Sequence, residues 1–305
     1  SDHLKIGPPH LPWSEPMRDL TEETLTRAAL HKLSETSDPR LKEIMSSFIQ
    51  CLHTFLREVE PTQDEWFEAI QFLTEIGQKC SEKRQEFILM SDVLGASMLI
   101  DAINNRKIAG ATESSVLGPY YRESAPDLKP GDSLNTTEDG ERVLVQGLVC
   151  GKNRVPISGA ILDVWQTAPN GLYDVQDPKQ PDMNLRGKVH TDVNGQYVFQ
   201  TVIPTSYPIP TDGPVGKMLS GLGWHPNRPA HIHFIVSAKG FKPVTTQVFI
   251  DGDPYLESDA VFAVKDSLVA KIVRHEKSSP SDPTEQKPSM ARSQLNYDFQ
   301  LEPAP

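Results

Sequence analysis

Near Asn105 the hydrophobic pattern of this chain changes period, and the two periods demand different architectures. From about Leu20 to Asn105, apolar residues recur at spacings of three and four, the repeat of one helix face. Asp38 before Pro39 supplies an N-cap and a first-turn proline, opening a helix that carries Leu41, Ile44, Phe48 and Leu52. Pro61 closes it. Thr62, with Glu65 three residues on, forms a capping box for a second helix striped with Trp66, Ile70, Leu73 and Ile76. A third long helix is predicted around Glu82–Ile103, with Phe87, Met90, Leu94 and Met98 along it. These stripes predict helix–helix core or a dimer face, and their width is also compatible with a bound lipid or partner.

Beyond Asn105 the segment Leu117-Gly118-Pro119-Tyr120-Tyr121 leads into a turn-rich connector with Pro126, Pro130 and Gly131. Short runs then follow at Val143–Cys150, Ala160–Trp165, Tyr197–Ile203, His231–Ser237 and Val244–Ile250, separated by Gly, Pro, Asn and Asp. That spacing predicts an antiparallel sandwich or barrel. Lys277–Ser289 is polar and proline-rich and reads as a mobile surface loop, whereas Leu295–Phe299 reads as a last strand. There is no internal repeat. The expected fold is mainly β with a helical N-terminal part, an antiparallel β-sandwich preceded by helices.

One strand of that sandwich carries unusual chemistry. After Pro229, the run Ala230–Val236 turns His231 and His233 to one face and Ile232, Phe234 and Val236 to the other. Two imidazoles so placed can share a metal ion without bending the backbone, or can form a hydrogen-bonded pair on a polar face. Upstream, Tyr173 follows the turn Asn170-Gly171-Leu172, and Tyr207 sits where Pro204, Pro208 and Pro210 fix the backbone. Rigid loops bearing a polar aromatic suit either tight turns or functional sites.

Composition narrows the classes. With 305 residues the chain makes one large domain or two smaller ones. A formal net charge of −11 repels phosphate backbones and anionic lipid, which argues against nucleic-acid or membrane-surface binding. No apolar run approaches the ~18–20 residues that span a bilayer. The first residues, Ser1-Asp2-His3-Leu4-Lys5, lack a basic-then-apolar secretion pattern, so a cytoplasmic protein is expected. Cys51, Cys80 and Cys150 are too few and too scattered for a disulfide framework or zinc knuckle. Cys51 and Cys80, inside helical patterns, read as small buried apolar residues.

Four strings, Leu117-Gly118-Pro119-Tyr120, Gly171-Leu172-Tyr173, Ile203-Pro204-Thr205-Ser206-Tyr207 and Arg228-Pro229-Ala230-His231-Ile232-His233, resemble in this order the intradiol ring-cleavage dioxygenases. The likeness runs from the helix at Glu86 through Leu268. It implies a helical dimerisation domain over residues 1–122, a catalytic β-sandwich over 123–305, a homodimer, and non-haem Fe(III) held by Tyr173, Tyr207, His231 and His233. It further implies that Tyr207 leaves the metal and acts as a base when an aromatic diol binds, ahead of ring opening by O2. Arg228 is implied to stabilise charge at the reacting carbon, with Gln247 behind it. The donor chemistry agrees. Phenolates are hard anionic oxygens that suit a high-valent hard metal, and a phenol with pKa near 10 yields its proton only to a strongly Lewis-acidic cation. Zinc rarely takes two tyrosines when Cys, His and carboxylates are available.

Within the family, Glu86–Asp92 and Ile209–Pro214 look most like the hydroxyquinol-cleaving branch. That likeness implies a ring pocket lined by Leu89, Asp92, Val116, Gly118, Tyr120, Ile209, Pro210 and Arg228. Asp92 is then an acceptor for a third ring hydroxyl that catechol lacks; its alternative role is an exposed or paired carboxylate on a helix. Tyr120 stands where that branch is expected to carry Phe, which keeps catechol as the alternative substrate. A non-catalytic β-sandwich binding module presenting His231 and His233 is the alternative from another class, and it predicts neither iron nor colour.

Overall fold

The first helices follow their caps. The computed structural model describes residues 17–81, 84–106, 110–137, 139–274 and 293–304; the predicted loop Lys277–Ser289 and the first five residues lie outside these. The chain divides into two compact units, one ending at Phe72 and the other starting at Leu73. In order come α1 (Glu22–Lys32), α2 (Pro39–Val59) and α3 (Gln63–Lys79). Asp38 accepts hydrogen bonds from the amides of Arg40 and Leu41, and Thr62 and Glu65 bond each other's amides, as the capping signals predict.

The stripes on these helices are not the core of a single chain. Leu41, Ile44, Phe48 and Leu52 on α2, and Trp66, Ile70 and Leu73 on α3, are all exposed, while Ile76 is fully buried. Cys51 is exposed and Cys80 half-buried, contrary to expectation; Cys80 Sγ–H points at the Ile76 carbonyl instead. Cys51 rides on α2, whose apolar face is itself uncovered, and Cys80 follows the last residue of α3. The predicted third helix is two helices, α4 (Glu86–Val93) and α5 (Ala96–Asn104). Gly95 between them has φ +75° and its amide donates to the Asp92 carbonyl, a left-handed helix stop that glycine adopts without steric cost. A stripe of apolar residues registers no such break, because Leu94 and Met98 remain four apart across it.

The remaining elements are β1 (Arg142–Cys150), β2 (Ile161–Trp165), β3 (Arg186–His190), β4 (Gln196–Val202), β5 (Tyr207–Pro208), α6 (Pro214–Leu222), β6 (Asn227–Arg228), β7 (His231–Ser237), β8 (Val244–Ile250), β9 (Val269–Ala270), β10 (Ile272–Arg274), β11 (Ser293–Asn296) and β12 (Phe299–Gln300). One sheet runs β10-β11-β1-β12, with β4 also on β1, and the other runs β3-β2-β7-β8-β9. Pairing is mostly antiparallel; β1 with β11 and β12, and β8 with β9, are parallel. The predicted last strand is interrupted at Tyr297 and Asp298, where the Asp298 carboxylate takes the Leu148 amide in place of a backbone partner.

Alternation decides which faces meet. Val143, Val145, Phe199, Leu295 and Phe299 of the first sheet join Leu162, Val164, Ile232, Phe234, Val236 and Val248 of the second in one buried cluster. Fully burying a side chain of this size contributes about 1.5–3 kcal/mol, so this interface fixes the register of β7. The opposite face of the second sheet therefore carries His231, His233, Trp165 and Gln247. Among the described residues, no helix is long and apolar enough to cross a membrane.

Candidate metal centre

On that outer face the register sets neighbours directly. Trp165 on β2 and Gln247 on β8 lie opposite His233, and Phe249 lies opposite His231. Tyr207 belongs to a two-strand ribbon in which it faces Arg228, so the proline-fixed loop brings the phenol and the guanidinium to one place. Tyr173 leaves a turn knit by the Gly171 amide on the Ala168 carbonyl, and the Tyr173 amide donates to Gln176 Oε1.

The four predicted donors converge. Tyr173 Oη lies 3.2 Å from Tyr207 Oη and 3.0 Å from His233 Nε2, and the two Nε2 atoms of His231 and His233 are 3.1 Å apart. All four side chains are buried. His231 Nδ1 lies 2.7 Å from the Pro229 carbonyl, which can only accept, so the proton is on Nδ1 and Nε2 offers its lone pair to the centre. His233 has no such partner on Nδ1 among the described residues; its ring is stacked on Trp165 at 4.7 Å and 7° instead. Burial, with the Arg228 charge, pushes His231 down to about 3, and burial, with His231 next, holds His233 well below the usual range. Both imidazoles are thus held neutral at pH 7, with lone pairs that can act as donors. Burial and the neighbouring Tyr207 raise the Tyr173 phenol well above its ordinary value. Two buried phenols and two neutral imidazoles with no counter-charge of their own fit a hard cation that supplies the missing charge. Among the described residues no group of three or more His, Cys, Asp or Glu gathers as a metal site. The ligand set here depends on tyrosine.

Support comes from behind. The Tyr173 ring is stacked on Tyr120 at 4.5 Å and lies 5.9 Å from the Arg186 guanidinium. Arg186 and Asp174 form a buried ion pair at 2.6 Å, and Arg122 bonds the same carboxylate at 2.6 Å. Gln176, which holds the Tyr173 amide, also donates to Tyr120 Oη at 2.8 Å. None of Trp165, Gln176 or Arg186 is marked in the sequence by a motif; they are found only through pairing across strands and turns.

The predicted pocket residues surround this centre unequally. Gly118 lies against His233, where a Cβ would come within 3.3 Å of Cε1. The Val116 carbonyl accepts from Gln247 Nε2 at 2.6 Å, and Gln247 Oε1 accepts from Arg228 Nη2 at 2.7 Å. Asp92 is buried on α4, with Leu89 buried one turn before it; Asp92 is not exposed, and it forms no salt bridge among the described residues. Burial raises the Asp92 carboxyl above its ordinary range, against a Ser97 hydrogen bond and the nearby Arg228 charge. Ile209 is buried and its amide donates to the Pro226 carbonyl, while Pro210 is half-buried. The start of α4 is tied to this wall: Glu86 Oε1 accepts from the Val215 amide, and Arg84 bridges Glu86 and Asp212.

Comparison with known proteins gives the same family. The model described as "Dioxygenase" matches residues 116–303, and "Catechol dioxygenase N terminus" matches residues 38–112. The chain is 50% identical to hydroxyquinol 1,2-dioxygenase of Rhizobium sp. (strain MTP-10005), over 84% of this chain and 87% of that protein. It is 42% identical to 6-chlorohydroxyquinol 1,2-dioxygenase of Cupriavidus pinatubonensis, over 94% of this chain and 99% of that one. The crystal structure of hydroxyquinol 1,2-dioxygenase from Pseudomonas putida DLL-E4 superposes with a TM-score of 0.86 at 46% identity, covering 93% and 99% of the two chains. With both family models matched in order and relatives up to 50% identical over most of its length, the chain belongs to the intradiol ring-cleavage dioxygenases.

Proposed function

We propose that this enzyme opens the ring of hydroxyquinol, 1,2,4-trihydroxybenzene, between its adjacent hydroxylated carbons, adding both atoms of O2 to give maleylacetate. The observation that carries the reading is the convergence of Tyr173, Tyr207, His231 and His233 beside a buried acidic side chain, Asp92. The names of the relatives above support the substrate. We assign Fe(III) to Tyr173, Tyr207, His231 and His233, which would hold it; when bound it would supply Lewis acidity that lowers the barrier to deprotonating the diol.

The chain's own groups do the rest. Tyr207 Oη, which would be a phenolate once a hard cation is bound, would take a phenolic proton as the diol enters and become a neutral phenol, while Tyr173, whose ring is stacked on Tyr120 and backed by Arg186, stays in place. Arg228 presents its guanidinium beside His231, at 3.3 Å from Nε2, where negative charge on the opening ring is stabilised. Asp92 accepts a hydrogen bond from the third hydroxyl; a ring without that hydroxyl leaves a buried acceptor unpaired, at about 1–3 kcal/mol. Burial of the whole set keeps water from the reacting carbons.

We read residues 1–122 as the dimerisation part and a second copy as the cover for the exposed stripe Leu41, Ile44 and Phe48, a face that a lipid chain would also fit. The three unpaired cysteines are in keeping with a cytoplasmic enzyme. The test of function is a visible spectrum of the iron-loaded protein before and after anaerobic hydroxyquinol. A broad tyrosinate charge-transfer band that shifts with substrate, and weakens in Tyr173→Phe and Tyr207→Phe, is expected. A protein that stays colourless after iron loading would sink the reading.

A further inference from the structure

We propose that Asp259 is the positioning residue that fixes the orientation of Arg228 and neutralises its buried charge, an assignment that rests on the dioxygenase reading above. Arg228 is 4% exposed and Asp259 6%. Asp259 Oδ1 accepts from Arg228 Nε at 3.0 Å and Oδ2 accepts from Nη2 at 3.2 Å, a side-on pairing along one edge of the planar guanidinium. Nη2 spends its other hydrogen on Gln247 Oε1 at 2.7 Å. Of the five N–H donors of an arginine, three are thereby committed, and the two on Nη1 remain. Nη1 gives one of these two to His231 Nε2 at 3.3 Å, an acceptor because the ring proton sits on Nδ1. Turning the guanidinium would break both bonds to Asp259 at once, so the carboxylate decides which nitrogen meets the reacting substrate.

Asp259 is itself immobilised. Its carboxylate accepts the amides of Ala263 at 3.0 Å and Val261 at 3.4 Å. The loop around it is laced to both neighbours of the arginine turn, by the Ala260 amide on the Asn227 carbonyl at 3.2 Å and by the Ala230 amide on Asp253 Oδ2 at 3.0 Å. From Ala263 the path goes on, because Ser115 Oγ donates to the Ala263 carbonyl at 3.1 Å. Val116, the next residue, gives its carbonyl to Gln247, and Gln247 returns to Arg228. Arginine, carboxylate, pocket wall and glutamine close a ring of hydrogen bonds with no free end.

Charge gives the second reason for the pairing. A bare guanidinium in this buried place repels any cation held by the adjacent tyrosines and histidines, whereas the Arg228–Asp259 unit is neutral and still keeps Nη1 on the side of His231. Burial opposes the Asp259 charge, and Arg228 more than offsets it, holding the carboxyl below its ordinary range.

The test uses the iron-loaded full chain with hydroxyquinol and O2. An inactive wild type overturns the dioxygenase reading itself, and the pairing is judged on an active one. Asp259→Asn keeps the shape and removes the charge. It is expected to lower kcat by about 10- to 100-fold, with KM within about threefold and the charge-transfer band unmoved. In an Arg228→Gln background the same substitution is expected to add less than about twofold, since the group it positions is gone. A kcat within about twofold of wild type, or an equal loss in both backgrounds, overturns the proposal. In the metal-free protein Asp259→Asn is expected to lower Tm, and adding Arg228→Gln to restore most of it, because an unpaired buried cation is costlier than none. Should Asp259→Asn not fold, the double variant decides: recovery of folding supports the pairing, and failure to recover overturns it.

Discussion

A single methyl group at Gly118 tests how tightly the centre is built. The residue has φ +74°, and a Cβ there meets His233 Cε1 at 3.3 Å. Gly118→Ala is expected to cost about 1–2 kcal/mol in backbone strain and to push the imidazole off its line, weakening metal binding about tenfold in a competitive chelator titration. Asp92 gives a second expectation, in pH. Its folded pKa is raised by burial, so below the ordinary carboxylate range both folded and unfolded forms are protonated and the group is neutral in the balance. As pH rises through that range the unfolded chain ionises first, and stability falls until the folded carboxyl ionises too. Asp92→Asn should therefore raise Tm at pH 7 but leave it nearly unchanged at pH 3, while it erodes the preference for hydroxyquinol over catechol. Equal Tm differences at both pH values would show that burial does not strain this group.

Between α4 and α5, Gly95 sets the angle at which Asp92 and Leu89 meet the site. Gly95→Ala places a Cβ only 3.5 Å from Phe262, an ordinary contact, so its cost lies in the positive φ. A loss of about 1 kcal/mol in stability and a raised KM with little change in kcat are expected. The sequence carried this region only in outline. Strand alternation found β7 because it reports burial residue by residue, and stripe periodicity found the helices even though the stripes on α2 and α3 are exposed in a single chain. The histidine pair and the two tyrosines were legible by spacing and by family likeness. What escaped was whatever depends on which strand lies beside which: Trp165 opposite His233, Gln176 across from Tyr120, and Asp259 in a loop of no particular composition. The break at Gly95 and helix α6 escaped for a related reason, since a turn that keeps the stripe in phase, and a short helix opened by Pro214 among other prolines, leave the pattern almost unchanged.

On the scale of the whole molecule, the proposed dimer can be tested at the uncovered apolar residues on α2. Phe48→Glu, at a side chain 56% exposed, is expected to convert a dimer into monomers in sedimentation, with kcat per iron within about twofold of wild type. A variant that sediments as the wild type does would remove that face from the interface. The parallel pairing of β1 with β11 and β12 has a consequence for how the protein is made. Leu148 waits for Asp298, 150 residues later, before its amide is satisfied. At the usual pace of synthesis, about 5–20 residues per second, that is roughly 8–30 seconds, and even after β4 is made β1 keeps an open edge on its other side until β11 and β12 follow. A nascent chain stalled before residue 293 holds the histidine strand and both tyrosines yet still presents that edge to its neighbours on the polysome, so ribosome-bound chaperones have their longest claim on this protein before β11 and β12 are made.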